Sequence, residues 1–158
     1  MKSPGNLAAS TLLGAARVAL GVLWLHEGYV KYHAGFGKAD ILLVADGAGS
    51  NSRIPGFFTF FADHLLRPMA EVAGIVVPIV EVGLGIALIL GIFTLPVALG
   101  SLLNLMTYWC SDQLVSQYPI MGALSGVLIA WPALASRLSL PALVSARKSR
   151  ADRATVDA

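Results

Sequence analysis

The stretch PMAEVAGIVVPIVEVGLGIALILGIFTLPVALGSLLNLMTYWCS, residues 68–111, decides the fold: across all of it only Glu71 and Glu81 carry charge. One helical crossing of a ~30 Å hydrocarbon layer takes ~20 apolar residues, so this run is long enough for two. Gly91-Ile92-Phe93-Thr94 joins them in a hairpin too short to leave the membrane surface by much. Working outward, Gln113 to Ser136 carries no charge at all, and Pro119 and Pro132 bracket a third apolar piece. A fourth precedes them at the N-terminal end. The expected spans are therefore about 7–30, 70–90, 93–110 and 119–136, which predicts an all-α, integral membrane, antiparallel four-helix bundle.

Composition agrees. The 158 residues are 56% hydrophobic and 13% charged, and mean hydropathy is +0.74; a soluble domain carries about twice that charge. Net charge is only +2 and the basic residues share no periodic face, which argues against nucleic acid as a partner. Cys110 is the single cysteine, so dithiol redox chemistry and cysteine-rich zinc sites are excluded. In the first segment Arg17 interrupts an apolar region that continues to Leu25, the wrong shape for a cleaved leader. Basic residues in the flanks set the orientation. Lys2, Arg137, Arg147, Lys148, Arg150 and Arg153 fall on one side, against Lys31, Lys38, Arg53 and Arg67 on the other, placing both termini in the cytoplasm. The polar, basic stretch 141–158 is then a cytoplasmic tail, expected to be frayed and near anionic headgroups.

Residues 32–69 form the one long connection, extracytoplasmic in this topology. Asp46-Gly47, Gly49, Ser50, Asn51 and Ser52 read as turn material between Ile41–Val44 and an aromatic-rich piece from Ile54 to Leu66, which suits a short helix in the interface plane. It serves as a cap on the bundle or, alternatively, as a substrate lid.

Polar residues inside the spans carry the functional argument, because an ionisable group at the bilayer centre costs at least ~2.5–3.5 kcal/mol and must face protein or water. Gly14, Arg17, Gly21, Trp24, Gly28 and Lys31 recur at alternating intervals of three and four; so do Glu71, Gly74, Pro78, Glu81 and Gly85. Each set lies along one helix stripe, and glycines let such stripes approach closely. Counting ~1.5 Å per residue from the cytoplasmic ends puts Arg17 about 15 Å deep and Glu81 about 14 Å deep on antiparallel neighbours. Asn104 and Ser125 come to similar depth. These residues predict a midplane polar centre of Arg17, Glu81, Asn104 and Ser125, with an outer cluster of His26, Glu27, Lys31, Glu71 and Tyr108 above it. The simpler alternative is an Arg17–Glu81 ion pair that only fixes register.

Other chemistry finds little support. Haem ligation needs inward imidazoles at matching depth on two helices, whereas His26 stands alone and His33 and His64 lie in the long connection. No metal site is expected. Trp109 and Trp131 read as interfacial anchors and Met69 and Met106 as filler.

Arg17-x3-Gly21-x2-Trp24-x3-Gly28-x2-Lys31, then Glu81-x3-Gly85 and the Gly91-Ile92-Phe93-Thr94 hairpin, resemble the DoxX family of small bacterial and archaeal membrane proteins. The resemblance extends over all four spans. It implies a four-helix bundle in the bacterial cytoplasmic membrane and an association with redox enzymes. The related DoxD and DoxA subunits form a thiosulfate:quinone oxidoreductase, and other relatives accompany superoxide dismutase, sulfurtransferase or amine-dehydrogenase maturation systems. The bundle is also similar in outline to vitamin K epoxide reductase, whose dithiol this chain lacks. The 32–69 connection is bulkier than in many simple relatives.

Three functions fit these expectations. The first is an accessory or assembly subunit of a membrane-bound oxidoreductase system, with small-residue grooves at Gly83, Ala87 or Gly122, Gly126 docking protein partners or a second copy among the membrane lipids. The second is a quinone-reactive oxidoreductase subunit in which Arg17 and Glu81 serve the quinone while Trp24 and Tyr108 line the pocket. The third is a small proton-coupled transporter working through Glu81. Since no electron carrier is encoded and no covalently bound cofactor is expected, the first is favoured, with quinone as the one candidate cofactor.

Overall fold

The structure, a computed structural model, describes the backbone of residues 4–113 and 115–156. Lys2 lies outside them, and of Arg150 and Arg153 only the backbone is described. The described elements are helical throughout: α1 (Pro4–Ala34), α2 (Lys38–Ser50), α3 (Gly56–Phe61) running into a π-helical turn (Ala62–Leu66), α4 (Ala70–Leu90), α5 (Thr94–Cys110), α6 (Tyr118–Ala130), α7 (Pro132–Ala135) and α8 (Leu140–Val156). Gly5–Ala34 and Ala70–Leu90 are long and apolar enough to cross a membrane, while Tyr118–Ala130 is apolar but shorter. The segment expected over 119–136 is broken: α6 stops at Ala130, and Pro132, which cannot continue the helical hydrogen bonds, opens α7.

Helices α1, α4, α5 and α6 share one core, to which α7 adds Ala135. Leu20 and Trp24 of α1, Leu88 of α4, Leu105 and Tyr108 of α5, and Met121 and Leu128 of α6 are buried together. The α1–α4 contact is the closest, and its two glycine stripes face each other. A Cβ on Gly21 would stand 2.8 Å from the Gly85 carbonyl oxygen, and one on Gly28 would stand 2.6 Å from Val82 Cγ2. The backbones meet because side chains are missing there.

The long connection folds over one end of these helices. Gly47, Gly49 and Ser50 lie inside α2, not in a turn. The helix buries Ile41, Ala45 and Ala48 at intervals of four and three, and the Asp40 carboxylate accepts the Gly37 N–H at 2.9 Å to close its first turn. Packing of that face outweighs the poor helix propensity of the glycines. Phe58 and Ala62 join Ala45 and Ala48 in a second cluster, Thr59 Oγ1 donates to the Ala48 carbonyl at 3.0 Å, and α2 seats against α4 where Gly74 meets Gly37. The C-terminal stretch, expected to fray, is helical as well: Ser139 Oγ accepts the Ala142 N–H at 3.3 Å and caps α8.

Candidate functional site

Glu81 shares the inward face of α4 with Gly74, Pro78, Gly85 and Leu88 and is fully buried. Its Oε1 accepts from two neighbours on different helices, Lys31 Nζ at 2.6 Å and the Tyr108 hydroxyl at 2.5 Å. Lys31 Nζ also lies 3.5 Å from Glu27 Oε2, one turn earlier on α1. Glu27 in turn accepts from the Tyr118 hydroxyl at 3.1 Å and from the Gln117 side-chain amide. Tyr108 and Tyr118 stack with ring centroids 5.4 Å apart. The result is a continuous polar chain, Gln117/Tyr118–Glu27–Lys31–Glu81–Tyr108, drawn from α1, α4, α5 and α6. Two carboxylates face a single ammonium, so the cluster carries a spare negative charge unless it also binds a proton. Glu81 Oε2 and Asn104 Nδ2 are buried without a partner.

A second chain crosses the same core. The Trp24 indole N–H donates to Ser101 Oγ at 2.7 Å, Ser101 and Ser125 hydroxyls lie 2.9 Å apart, and Ser125 donates back to the Met121 carbonyl at 2.8 Å. The α2–α3 cap closes over Lys31 and Tyr108, leaving a cavity of about 60 Å³ bordered by Phe36, Ile41, Phe58 and Leu66.

Residues 12–113 match the family model for DoxX. The chain belongs to the DoxX family. Family and apolar helices together make it a membrane protein in contact with lipid. No curated protein and no solved structure matches it. Within this DoxX chain the matched span holds Glu27, Lys31, Glu81, Asn104 and Tyr108, whereas Gln117 and Tyr118 lie beyond it.

The cluster differs from the sequence expectation in its pairing. Arg17 does not meet Glu81. The α1–α4 register set by Gly21 on Gly85 brings the Arg17 backbone level with Ile89, eight residues or about 12 Å from Glu81, and its guanidinium lies against Gly91. Side-chain direction widens the gap. Helical side chains lean toward their own N-terminus, so on antiparallel helices Glu81 leans toward Lys31 and Arg17 leans the other way. Tyr108 does lie with Lys31 and Glu27 of the expected outer cluster, and it is Glu81 that joins them, bonded to both Tyr108 and Lys31. His26 is exposed, and Glu71 is exposed too and only 4.0 Å from Lys38 on the surface; neither belongs to the cluster. Asn104 directs a buried nitrogen into the core without reaching a partner, and Ser125 joins Trp24 through Ser101.

Gln117, Tyr118 and Ser101 were missed. Ser101 lies three residues before Asn104 and seven before Tyr108, which puts it on the same α5 face. Gln117 and Tyr118 open α6 at the level where α1 ends, and the same depth count would have placed them beside Glu27.

Proposed function

We propose that this DoxX protein is an integral membrane subunit that works by assembling with a membrane-bound oxidoreductase system, as a four-helix bundle of α1, α4, α5 and α6 with both termini in the cytoplasm. The observation that carries the reading is the open outer face of α6. Gly122 and Gly126 have nothing within 4 Å of the position a Cβ would take, and Ala130 continues the row at the same spacing and is exposed. Small residues four apart on a lipid-facing helix are the surface on which a second helix docks. Gly83 on α4 is open in the same way.

The polar centre supports a supporting role. Glu81 is bonded to Lys31 and Tyr108, which suits a fixed internal strut better than a transporter carboxylate that must exchange partners in each cycle. A quinone would find suitable donors in Lys31 and Tyr108, but the adjoining 60 Å³ is far below the ~300 Å³ of a small ligand site. That narrow space favours a structural role for Lys31 and Tyr108 over a quinone site.

The test is purification from native membranes in mild detergent with and without Gly126→Leu. The substitution fills the open row without touching the core. Expected is a folded, monodisperse variant that no longer retains the oxidoreductase partners held by the natural protein; retention unchanged in Gly126→Leu and Gly122→Leu alike would dismiss the reading.

A further inference from the structure

Arg17 is 2% exposed, yet its guanidinium has a single hydrogen bond, from Nη2 to the Leu138 carbonyl at 3.1 Å. Nε and Nη1 are buried without a partner, and among the described residues no carboxylate comes within ion-pair distance. The fold keeps room for this group: a Cβ on Gly91 would run into Nη1. A buried guanidinium without a counter-charge is strongly unfavourable, and its planar fork of donors matches the oxygens of phosphate.

Arg17 also lines a groove of about 540 Å³ along the outer flank of α1, with Thr11, Gly14, Ala15, Val18 and Leu138. The Leu138 side chain, 43% exposed, lies across Gly14 at the edge of this groove. This groove opens at the end of the molecule that holds the α4–α5 hairpin and the start of α8. There Leu140, Leu143 and Val144 are exposed, followed by exposed Arg147 and Lys148. An apolar turn followed by a basic one is the pattern of a helix lying at the headgroup level of an anionic leaflet.

We propose that Arg17 and this groove bind one anionic phospholipid, the phosphate held by Nε and Nη1 and an acyl chain laid along α1 over Ala15 and Val18. The site is separate from the Glu81 cluster and rests only on α1 crossing the membrane, so it stands or falls independently of any redox partner.

The probe is dioleoylphosphatidylglycerol, compared with dioleoylphosphatidylcholine and with inorganic phosphate, read by native mass spectrometry and thermal melting of the detergent-purified full chain. Expected is one phosphatidylglycerol retained per chain, with preference over phosphatidylcholine of about tenfold or more, and a raised melting midpoint that inorganic phosphate does not reproduce. Arg17→Gln abolishes the preference. Ala15→Trp, at an exposed position, blocks the acyl path with Arg17 intact, leaves the lipid-free midpoint unchanged, and lowers retention about tenfold. This second variant decides the matter if Arg17→Gln does not fold. Equal retention of the two lipids, retention undiminished in Ala15→Trp, or a thermal shift with inorganic phosphate as large as with the lipid would each overturn the proposal.

Discussion

Lys31 and Glu81 meet at 2.6 Å across the α1–α4 contact, and the glutamate of that pair is fully buried. The pair lies a turn below the last residues of α1, under the α2–α3 cap, and ties together the two helices that are long enough to span a membrane. Its geometry follows from antiparallel packing, in which two side chains that each lean toward their own N-terminus lean toward each other when the lysine sits nearer the C-terminal end of its helix.

The two partners are not equivalent. Removing Glu81 as Glu81→Gln leaves Lys31 with Glu27 at 3.5 Å, whereas Lys31→Met leaves two carboxylates facing each other without a cation. Lys31→Met is therefore expected to destabilise by about 3–5 kcal/mol and Glu81→Gln by clearly less. The double variant should fall short of the sum by about 1–3 kcal/mol. Arg17→Gln combined with Glu81→Gln should instead add to within about 0.5 kcal/mol. Melting midpoints of the three single and two double variants in one detergent check both statements, and a larger coupling for Arg17 than for Lys31 would contradict the structure.

Much of this was legible in the residues. The run Pro68–Ser111, charged only at Glu71 and Glu81, marks α4 and α5, whereas the uncharged run Gln113–Ser136 holds the shorter α6 and α7 with a break at Trp131; the three–four spacing of Gly21 and Gly28 with Gly85 gives the α1–α4 contact. The pairing within that contact was not legible. A depth count assumes that both helices begin at the same surface, whereas the register that seats Gly21 on Gly85 sets the Arg17 backbone about 12 Å from that of Glu81. Side-chain direction then adds to the separation, because each residue leans toward its own helix N-terminus. The cap was misread for a different reason: Asp46-Gly47 and Gly49 look like a turn when only local preference is weighed, and it is burial of Ile41, Ala45 and Ala48 against their neighbours that makes them helix.

Glycine positions should respond in opposite directions. Gly91 has φ +71°, and a Cβ there would strike the Arg17 guanidinium and lie 2.5 Å from Ser139 Cβ. Gly91→Ala is expected to lower stability by at least about 1–2 kcal/mol from the backbone alone, with displacement of Arg17 in addition. Gly47, within α2, has open space at its Cβ position, so Gly47→Ala should raise stability by about 0.5–1 kcal/mol. Thermal melting distinguishes them by sign.

The Trp24–Ser101–Ser125 chain predicts a rescue. Ser101→Ala strands the buried indole N–H that Ser101 accepts at 2.7 Å, an expected loss of about 1–3 kcal/mol. Trp24→Phe removes the donor, while Ser101 and Ser125 keep their own bond at 2.9 Å. Placing Trp24→Phe on the Ser101→Ala background should consequently lower the midpoint less than placing it on the natural chain. Equal decrements would show that the indole bond contributes nothing.

The cap is fastened at its far edge by charge. Asp112 Oδ2 accepts from Arg53 Nη2 at 2.5 Å and from Asn51 Nδ2 at 2.7 Å, linking the α2–α3 turn to the end of α5. Arg53 is 69% exposed at its side chain, so the link is worth under ~1 kcal/mol and is screened by salt. The apolar contacts of Phe58 and Ala62 with Ala45 and Ala48 hold the cap without it. Arg53→Ala should then leave the global melting midpoint nearly unchanged while amide exchange within Lys38–Ser50 and Gly56–Phe61 speeds up by as much as about fivefold, the factor that ~1 kcal/mol allows. At 1 M salt, where the Debye length is about 3 Å, the natural chain should exchange at nearly the variant's rate. Exchange in the cap that ignores both the substitution and the salt would mean that packing against Phe58 alone keeps Lys31 and Tyr108 covered.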